Sequence, residues 1–366
     1  MYRKLIGITI LGLYFLVLAV AITNGPLISY QSLLLGFFGL VVITSLISSF
    51  AKSIKLLDTA NEQRKKHEGS VPLIGGIIIY ISIIYGTFVF GVDPFYRIVI
   101  ISLVPILIIG ILDGIEYIRT PISLRVIAQI LSCWIIIIFT DIYLKDLGDL
   151  FGLGTITLNE LGIPITIFCV VGVCNAFNML DGMDGLTGSV TVVIITSILI
   201  LLYLNNIAYN WGLILILSIL VFLAFNLSLF GNQRKIFLGD HGSTGLGYIV
   251  SWNLIYLSQE TDLITPVSAL WFIFFPLTDT VLINIRRIRS SKSIFVPDRK
   301  HIHYFLSDAG YSDFKILSII VSISLITGLI GVVSNYWQIK EYYLLYGYLT
   351  LVIFFIILGV TRPEKS

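Results

Sequence analysis

Long apolar segments alternate with short polar ones along almost the whole chain. A membrane-spanning helix needs about 20 mainly apolar residues, and twelve segments approach this length and composition. They lie near 4–23, 31–50, 72–91, 96–112, 124–141, 162–178, 187–205, 210–229, 244–258, 266–285, 315–335 and 341–360. Because backbone groups in lipid must be hydrogen-bonded within the segment, we predict an all-α polytopic membrane protein with about 11–12 transmembrane helices.

Composition supports one membrane domain over residues 1–366 rather than several soluble ones. The chain is 57% hydrophobic and 12% charged, and its mean hydropathy is +0.98. No small-residue cleavage site follows the first apolar segment, so we expect a retained helix there. Cys133, Cys169 and Cys174 lie in or beside predicted spans without metal-type spacing. They are therefore interpreted as small apolar residues rather than disulfide partners.

Charge distribution predicts the orientation of the chain. With the N-terminus inside and alternating spans, only Arg97, Lys145 and Lys340 of the 23 Lys and Arg lie outside. This asymmetry agrees with the positive-inside rule. The inside segments lie near 51–71, 113–125, 175–188, 231–243 and 286–314. The net charge of +2 then reflects cytoplasmic anchors beside the lipid bilayer, and no nucleic-acid partner is indicated.

The run from Asn175 to Leu186 places two carboxylates and two amides in an otherwise apolar region. An ionised Asp at the bilayer centre costs about 2.5–3.5 kcal/mol, so acids within or beside spans are functional candidates. Asp181 and Asp184 are three residues apart, which puts them on one face of a helix or its last turn. A simple helix-ending turn that meets the cytoplasm is the alternative interpretation.

The first inside loop holds a second polar cluster, formed by Asp58, Asn61, Arg64, Lys65 and His67. Anionic lipid headgroups are one ligand for such a cluster, since each nearby Lys or Arg contributes about 1 kcal/mol. The following segment, 71–76, reads Val-Pro-Leu-Ile-Gly-Gly. It predicts a tight entry into the next helix with backbone amides open to an anion.

Three more inside segments carry candidate ligands. Asp113-Gly114 ends one span, with Arg125 twelve residues later. Asp240 lies between glycines at the start of a helix, where it either holds a divalent cation or caps the helix. His301 and His303 are two residues apart and do not share a helix face, which disfavours zinc and favours donors to a phosphate. A solvated basic loop is the alternative for the histidine segment.

The inside face therefore combines carboxylates that can bind a hard cation with cationic hydrogen-bond donors. Sites for phosphoryl or pyrophosphate chemistry use this combination of residues. The GxxxxGK[ST] loop of nucleotide hydrolases is absent from the sequence.

Five ordered blocks of these residues resemble the polyprenyl-phosphate N-acetylhexosamine-1-phosphate transferases. The blocks begin at Asp58, Leu112, Asn178, Phe237 and Pro297. The Asp-Arg-x-His-Ile-His form is similar to the WecA-like branch, whereas MraY-type enzymes carry three consecutive His. Two positions depart from the family pattern: Gly114 replaces a second Asp, and Tyr304 replaces a last His.

The resemblance implies transfer of a sugar 1-phosphate from a UDP-amino sugar to polyprenyl (undecaprenyl) phosphate, with release of UMP. UDP-GlcNAc is the default donor, and UDP-GalNAc, QuiNAc and FucNAc nucleotides are the alternatives. This reaction starts lipid-linked glycan synthesis at the cytoplasmic side of a bacterial inner membrane. The implied cofactor is Mg²⁺, with Mn²⁺ as the substitute, and Asp240 is its implied ligand.

The resemblance also implies roles for the other site residues. The catalytic candidates are Asp113 at the acceptor, Asp181 and Asp184 at the nucleotide or metal, and His301 and His303 at the phosphates. The substrate-binding candidates are Asn61, Arg64, Lys65, His67, Asn175, Asn178 and Arg299. An MraY-like transferase with a different sugar nucleotide is one alternative.

Another class, a transporter or flippase for an anionic substrate, also has charged residues at helix ends. Transporter sites lie near the membrane midplane, and the spans are interpreted as having no charged residue at mid-span. The spacing of a CDP-alcohol phosphotransferase is not found after Asp181.

Overall fold

The structure, a computed structural model, is helical almost throughout. It describes residues 30–59, 70–90, 92–115, 118, 120–207, 210–289 and 301–360. The helices are α1 (Tyr30–Ser53), α2 (Gly75–Phe90), α3 (Pro94–Ser102), α4 (Val104–Gly114), α5 (Ile122–Thr140), α6 (Gly162–Leu180), α7 (Leu186–Leu204), α8 (Asn210–Asn226), α9 (Asp240–Gln259), α10 (Pro266–Phe272), α11 (Phe274–Arg289), α12 (Ile302–Asp308), α13 (Asp313–Tyr336) and α14 (Glu341–Val360). Short 3-10 helices cover Asn159–Leu161 and Asn232–Arg234.

The prediction of an all-α polytopic membrane protein is confirmed. Each predicted span from 31–50 onward coincides with a helix or a broken helix, and the span near 4–23 lies outside the described residues. By length and composition alone, five described segments are able to cross a membrane, or six when a bent pair counts as one. Four further apolar helices are shorter than this criterion.

Two predicted spans are broken rather than continuous. The segment near 96–112 is interrupted at Leu103, because Pro105 lacks the N–H that would continue the helix. The segment near 266–285 bends by 83° between α10 and α11. Pro276 lies in the first turn of α11, where its ring is incompatible with a helix running through Phe272. The apolar pattern located both spans without revealing their breaks.

Helix α9 forms the centre of the bundle and is buried along nearly its whole length. It packs against α2, α4 and α6. Some of its polar groups pair with neighbouring helices: the Tyr248 hydroxyl lies 2.8 Å from Ser102 Oγ and 2.7 Å from the Ser132 carbonyl oxygen. Gly247 allows close approach to α6, since a Cβ there would lie 2.9 Å from the Val173 carbonyl oxygen. The apolar segment near 244–258, the shortest predicted span, is thus the central helix.

A small sheet covers one end of the bundle. Strands β1 (Leu57–Thr59) and β2 (Ser70–Pro72) pair antiparallel. The Gly75 and Gly76 amides donate to the carbonyl oxygens of Phe237 and Leu238 at 2.9 and 3.0 Å. The expectation that these amides are open to an anion is therefore wrong, because a backbone segment from before α9 already accepts their hydrogen bonds.

We expect Gly247→Ala to destabilise the protein by about 1–3 kcal/mol, the usual cost of overpacking a core. The added methyl would press on the α6 backbone, which cannot move aside like a flexible side chain. Gly245→Ala is the matched control on the same helix, because its Cβ would have its nearest neighbour 3.7 Å away, at Leu103. Thermal unfolding in detergent should separate the variants, and equal melting temperatures would contradict the close packing.

Candidate active site

Carboxylates from separate parts of the chain meet at one end of the bundle. Asp113 ends α4, Asp181 follows α6, and Asp240 begins α9. The helices run in alternating directions, so the C-terminal ends of α4 and α6 lie beside the N-terminal end of α9. Three of the predicted site residues are thus brought to the same face by the packing.

Arg125 joins two of these carboxylates. Its Nη1 atom lies 2.8 Å from Asp240 Oδ2 and 3.3 Å from Asp113 Oδ2. Thr120 also holds Asp113: its amide and its hydroxyl both donate to Oδ1. The Asp113–Arg125–Asp240 cluster is half-buried, so its groups remain reachable by a ligand. Ion pairs with one shared cation leave carboxylate oxygens able to accept further bonds.

The Asp181–Asp184 turn connects α6 to α7 beside this cluster. Asp184 pairs with Lys235 at 2.6 Å, and the ammonium group lies 4.9 Å from the centre of the Phe237 ring. The next residue, Gly185, has φ +77°, a left-handed conformation that glycine adopts without strain. Its amide donates to Asn226 Oδ1 at 2.6 Å. Side chains from α8 and from the segment before α9 therefore hold the turn in place.

Asp181 has a strongly shifted acidity. The residue has an exposed surface, yet its carboxyl group is closely surrounded by protein. Desolvation by this burial raises the pKa of Asp181 to about 7, and the charges of Asp240 and Asp184 add to the rise. A hydrogen bond from Thr187 acts in the opposite direction. A carboxyl with such a pKa beside two other carboxylates is typical of functional sites.

The two predicted asparagines differ in position. Asn178 Nδ2 donates to Ser243 Oγ at 3.1 Å and so lies where α6 meets the start of α9. Asn175 lies one turn further from the end of α6, and its amide donates to Gln129 Oε1 at 3.1 Å. The Asn175–Gln129 bond links α6 to α5 below the carboxylates. In this structure, Asn175 thus makes a contact between helices rather than a contact at the open face.

The histidines lie behind the Asp181–Asp184 turn. His301 Nδ1 is 2.8 Å from Asp279 Oδ2, and the His301 and His303 rings stack with centroids 5.4 Å apart. Both nitrogens of His303 are enclosed without a hydrogen-bond partner. Burial lowers the pKa of His303 to about 4; the charge of Asp279 opposes this shift, and His301 adds slightly to it. A neutral, unsatisfied imidazole of this kind is expected to gain a partner when a ligand or water arrives.

The two departures from the family pattern have structural neighbours. A Cβ at Gly114 would lie 2.7 Å from Leu56 Cδ1, so a buried leucine fills the space next to this position. Tyr304 places its ring 4.2 Å from that of His303. The residues Asn61, Arg64, Lys65, His67 and Arg299 lie outside the described residues, and their roles remain predictions.

Asp279 was missed as a site residue. It is 2% exposed and lies in α11, toward the end of the predicted span 266–285 rather than at its middle. An acid inside an apolar segment was the signal that could have identified it. Lys235 was also missed, because a lysine in a basic loop gives no sequence signal of its pairing with Asp184.

The oxygen donors fit a magnesium ion that arrives with a substrate. Among the described residues, no three His, Cys, Asp or Glu side chains form a ready-made metal site. Mg²⁺ nevertheless binds most often through one or two carboxylates together with substrate phosphates. Asp240 keeps oxygens available despite its Arg125 contact, and Asp181 and Asp184 lie close enough for mutual charge effects. This donor set suits a metal–diphosphate complex better than a permanently bound ion.

Fold and site together define a polytopic membrane protein with a cluster of carboxylates and cations at one helix end. The chain matches the family described as Glycosyl transferase family 4 over residues 96–258. An Escherichia coli (strain K12) protein named undecaprenyl-phosphate alpha-N-acetylglucosaminyl 1-phosphate transferase is 35% identical, and the match covers 84% of this chain and 91% of that protein.

Two other proteins with that name give the same result. The one from Yersinia pestis is 33% identical over 78% of both chains. The one from Haemophilus influenzae is 34% identical over 89% of this chain and 92% of its own length. The chain therefore belongs to the Glycosyl transferase family 4, and the resemblance inferred from the five polar blocks is confirmed.

The raised pKa of Asp181 predicts a pH-dependent stability. The folded state holds this proton up to about pH 7, whereas the unfolded chain releases it near the ordinary aspartate pKa of 3.8. Stability should fall as pH rises from about 4 to 7 and then level off. Asp181→Asn removes this contribution. The difference in melting temperature, variant minus wild type, should therefore become more positive from pH 5 to pH 6 to pH 8 when measured in detergent. The exposed Asp308→Asn is the control, and a constant Asp181→Asn difference would contradict the assigned pKa.

Proposed function

We propose that the protein transfers an N-acetylhexosamine 1-phosphate from a UDP-sugar to undecaprenyl phosphate and releases UMP. The observation that carries this proposal is the Asp113–Arg125–Asp240 cluster beside the Asp181–Asp184 turn. It provides anionic groups for a metal and cationic groups for phosphates at one end of membrane helices. Relatives that match most of the chain are named for this acceptor and for a GlcNAc 1-phosphate donor.

The reaction exchanges one phosphoanhydride for another. An oxygen of the carrier phosphate attacks the β-phosphorus of the UDP-sugar and forms a new P–O bond. The bond from that phosphorus to the bridging oxygen breaks, and UMP leaves with the electron pair. Because a phosphate monoester is largely dianionic near neutral pH, the attacking oxygen mainly requires placement and charge neutralisation.

The residues of the cluster divide this task. Asp113, held by Thr120 and Arg125, orients the carrier phosphate, and Arg125 exchanges its carboxylate contacts for phosphate oxygens. Asp181, Asp184 and Asn178 position the nucleotide. Asp240 is the proposed ligand of Mg²⁺, or of Mn²⁺ as a substitute. When bound, such an ion neutralises diphosphate charge and polarises its oxygens.

UDP-GlcNAc is the proposed donor, in keeping with the names of the relatives. The test is product formation from radiolabelled UDP-sugars and undecaprenyl phosphate in detergent. A lipid-extractable product that requires Mg²⁺ supports the transferase, and a panel with UDP-GalNAc and 6-deoxy amino sugars identifies the preferred sugar. Vesicle uptake of an anionic substrate without such a product would instead support a transporter.

The pathway proposed to follow is lipid-linked glycan synthesis, such as O-antigen or capsule.

Asp240→Asn should lower turnover by roughly two to four orders of magnitude, because each 1.36 kcal/mol of lost transition-state stabilisation is about tenfold in rate. It should also weaken binding of Mn²⁺ measured by electron paramagnetic resonance in the presence of the UDP-sugar. Asp262→Asn, at an exposed position near the other end of α9, is the control. If Asp240→Asn kept near-normal Mg²⁺-dependent turnover, Asp240 would only cap helix α9 and would not be the metal ligand.

The candidate site is proposed to face the cytoplasm of a bacterial inner membrane. Lys145 and Lys340 lie at the opposite end of the bundle, as the positive-inside prediction requires. In a Cys169→Ala background, Thr155→Cys should react with an impermeant maleimide in intact cells, whereas Asp308→Cys should be protected until the cells are opened. Both positions are exposed, and the other two cysteines are buried. The reverse labelling pattern would invert the assigned orientation.

A further inference from the structure

Asp279 is a buried acid whose two oxygens are both engaged by the segment that follows helix α11. Its Oδ2 lies 2.8 Å from His301 Nδ1, and its Oδ1 accepts the backbone N–H of Ile302 at 2.9 Å. The side chains of Asp279 and His301 are only 3% and 7% exposed. A carboxylate is so costly to bury that a specific role is expected for it.

The pairing determines where His301 carries its hydrogen. An ionised carboxylate only accepts hydrogen bonds, so the hydrogen between the two groups belongs to Nδ1 of the imidazole. Nε2 is then the nitrogen left for other partners. It is not among the enclosed unpartnered atoms, in contrast to both nitrogens of His303. His301 thus has one nitrogen bound to Asp279, and Nε2 is the nitrogen with which it can meet a ligand.

His303 connects this dyad to the candidate active site. Its ring is nearly parallel to that of His301, with an angle of 17° between the planes. A Cβ at Gly182 would lie 2.4 Å from His303 Nε2, so the His303 ring packs directly under the Asp181–Asp184 turn. The histidines therefore form a stack that runs from Asp279 to the carboxylate turn.

We propose that Asp279 is a positioning residue: it holds His301 with its hydrogen on Nδ1 and thereby directs Nε2 toward a substrate phosphate. An ionised phosphate oxygen only accepts hydrogen bonds, so the His301 ring that meets it carries hydrogens on both nitrogens, and Asp279 supplies the counter-charge. His303 stays neutral and supports the turn. The assignment of the phosphate rests on the proposed transferase function, whereas the Nδ1 assignment does not.

Asp279→Asn separates this role from simple packing, because an amide has only one acceptor oxygen. If that oxygen keeps the Ile302 N–H, the NH₂ group faces Nδ1 and drives the hydrogen to Nε2. The chain has only four histidines, so ¹⁵N-histidine labelling in proteoliposomes resolves the tautomers, and His301→Gln assigns the signal. We expect the hydrogen on Nδ1 in wild type and on Nε2 in Asp279→Asn.

Turnover supplies the second measurement. We expect Asp279→Asn to lower kcat by roughly 10- to 100-fold, the range found for groups that orient a histidine ligand, with a smaller change in KM for the UDP-sugar. Asp279→Glu keeps two acceptor oxygens and should retain the Nδ1 hydrogen and more of the activity. Asp308→Asn makes the same chemical change on an exposed position of α12 and should leave both measurements unchanged.

A hydrogen on Nε2 alone in wild-type His301 would overturn the proposal, even if Asp279→Asn failed to fold. An Asp279→Asn variant that keeps the Nδ1 hydrogen, or that loses thermal stability but not kcat, would make Asp279 a structural contact only. If wild type forms no lipid-linked product, the proposed function fails, and the tautomer measurement still decides whether Asp279 orients His301.

Discussion

The enclosure of helix α9 is the constraint on which the rest of the structure depends. A helix surrounded by other helices has little water to pair its polar groups, so hydrogen bonds to neighbouring helices stabilise it. Tyr248 makes such bonds to Ser102 and Ser132, and Gly247 lets α6 approach closely. Because α9 is held so tightly, its first residue, Asp240, has a defined position relative to the ends of α4 and α6. The candidate site is therefore a consequence of core packing.

Charge neutralisation explains how so many carboxylates share that end of the bundle. Like charges in a half-buried cluster repel each other unless cations or protons compensate. Arg125 forms ion pairs with Asp113 and Asp240, and Lys235 forms one with Asp184. Asp181 has no such cation in the described ion pairs and instead shows the raised pKa. The proposed metal–diphosphate complex would bring both cationic and anionic groups, so it would enter by exchanging partners within this network rather than by adding net charge.

Much of the fold was predictable because backbone groups in lipid must be hydrogen-bonded within the protein, which restricts the structures that a spanning segment can adopt. Spans of about 20 apolar residues must be helices, and each predicted span in the described residues is helical. The interruption at Leu103 and the bend near Ile273 were missed because an apolar pattern does not record where backbone hydrogen bonding is interrupted or where a helix changes direction. For the site, the polar blocks identified Asp113, Asp181, Asp184 and Asp240 as a group. The pairing of Arg125 and Lys235 with these carboxylates, and of Asp279 with His301, became evident only from distances.

By itself, the sequence determined the membrane class, the positions of the spans, the family and the carboxylates that gather at one end. These properties depend on composition and on local order along the chain, which hydropathy and motif spacing record directly. Tertiary structure alone decided that Asn175 binds Gln129, that backbone carbonyls occupy the Gly75 and Gly76 amides, and that Asp279 holds His301. Such pairings join residues far apart in the chain, and their geometry is set by how the helices pack.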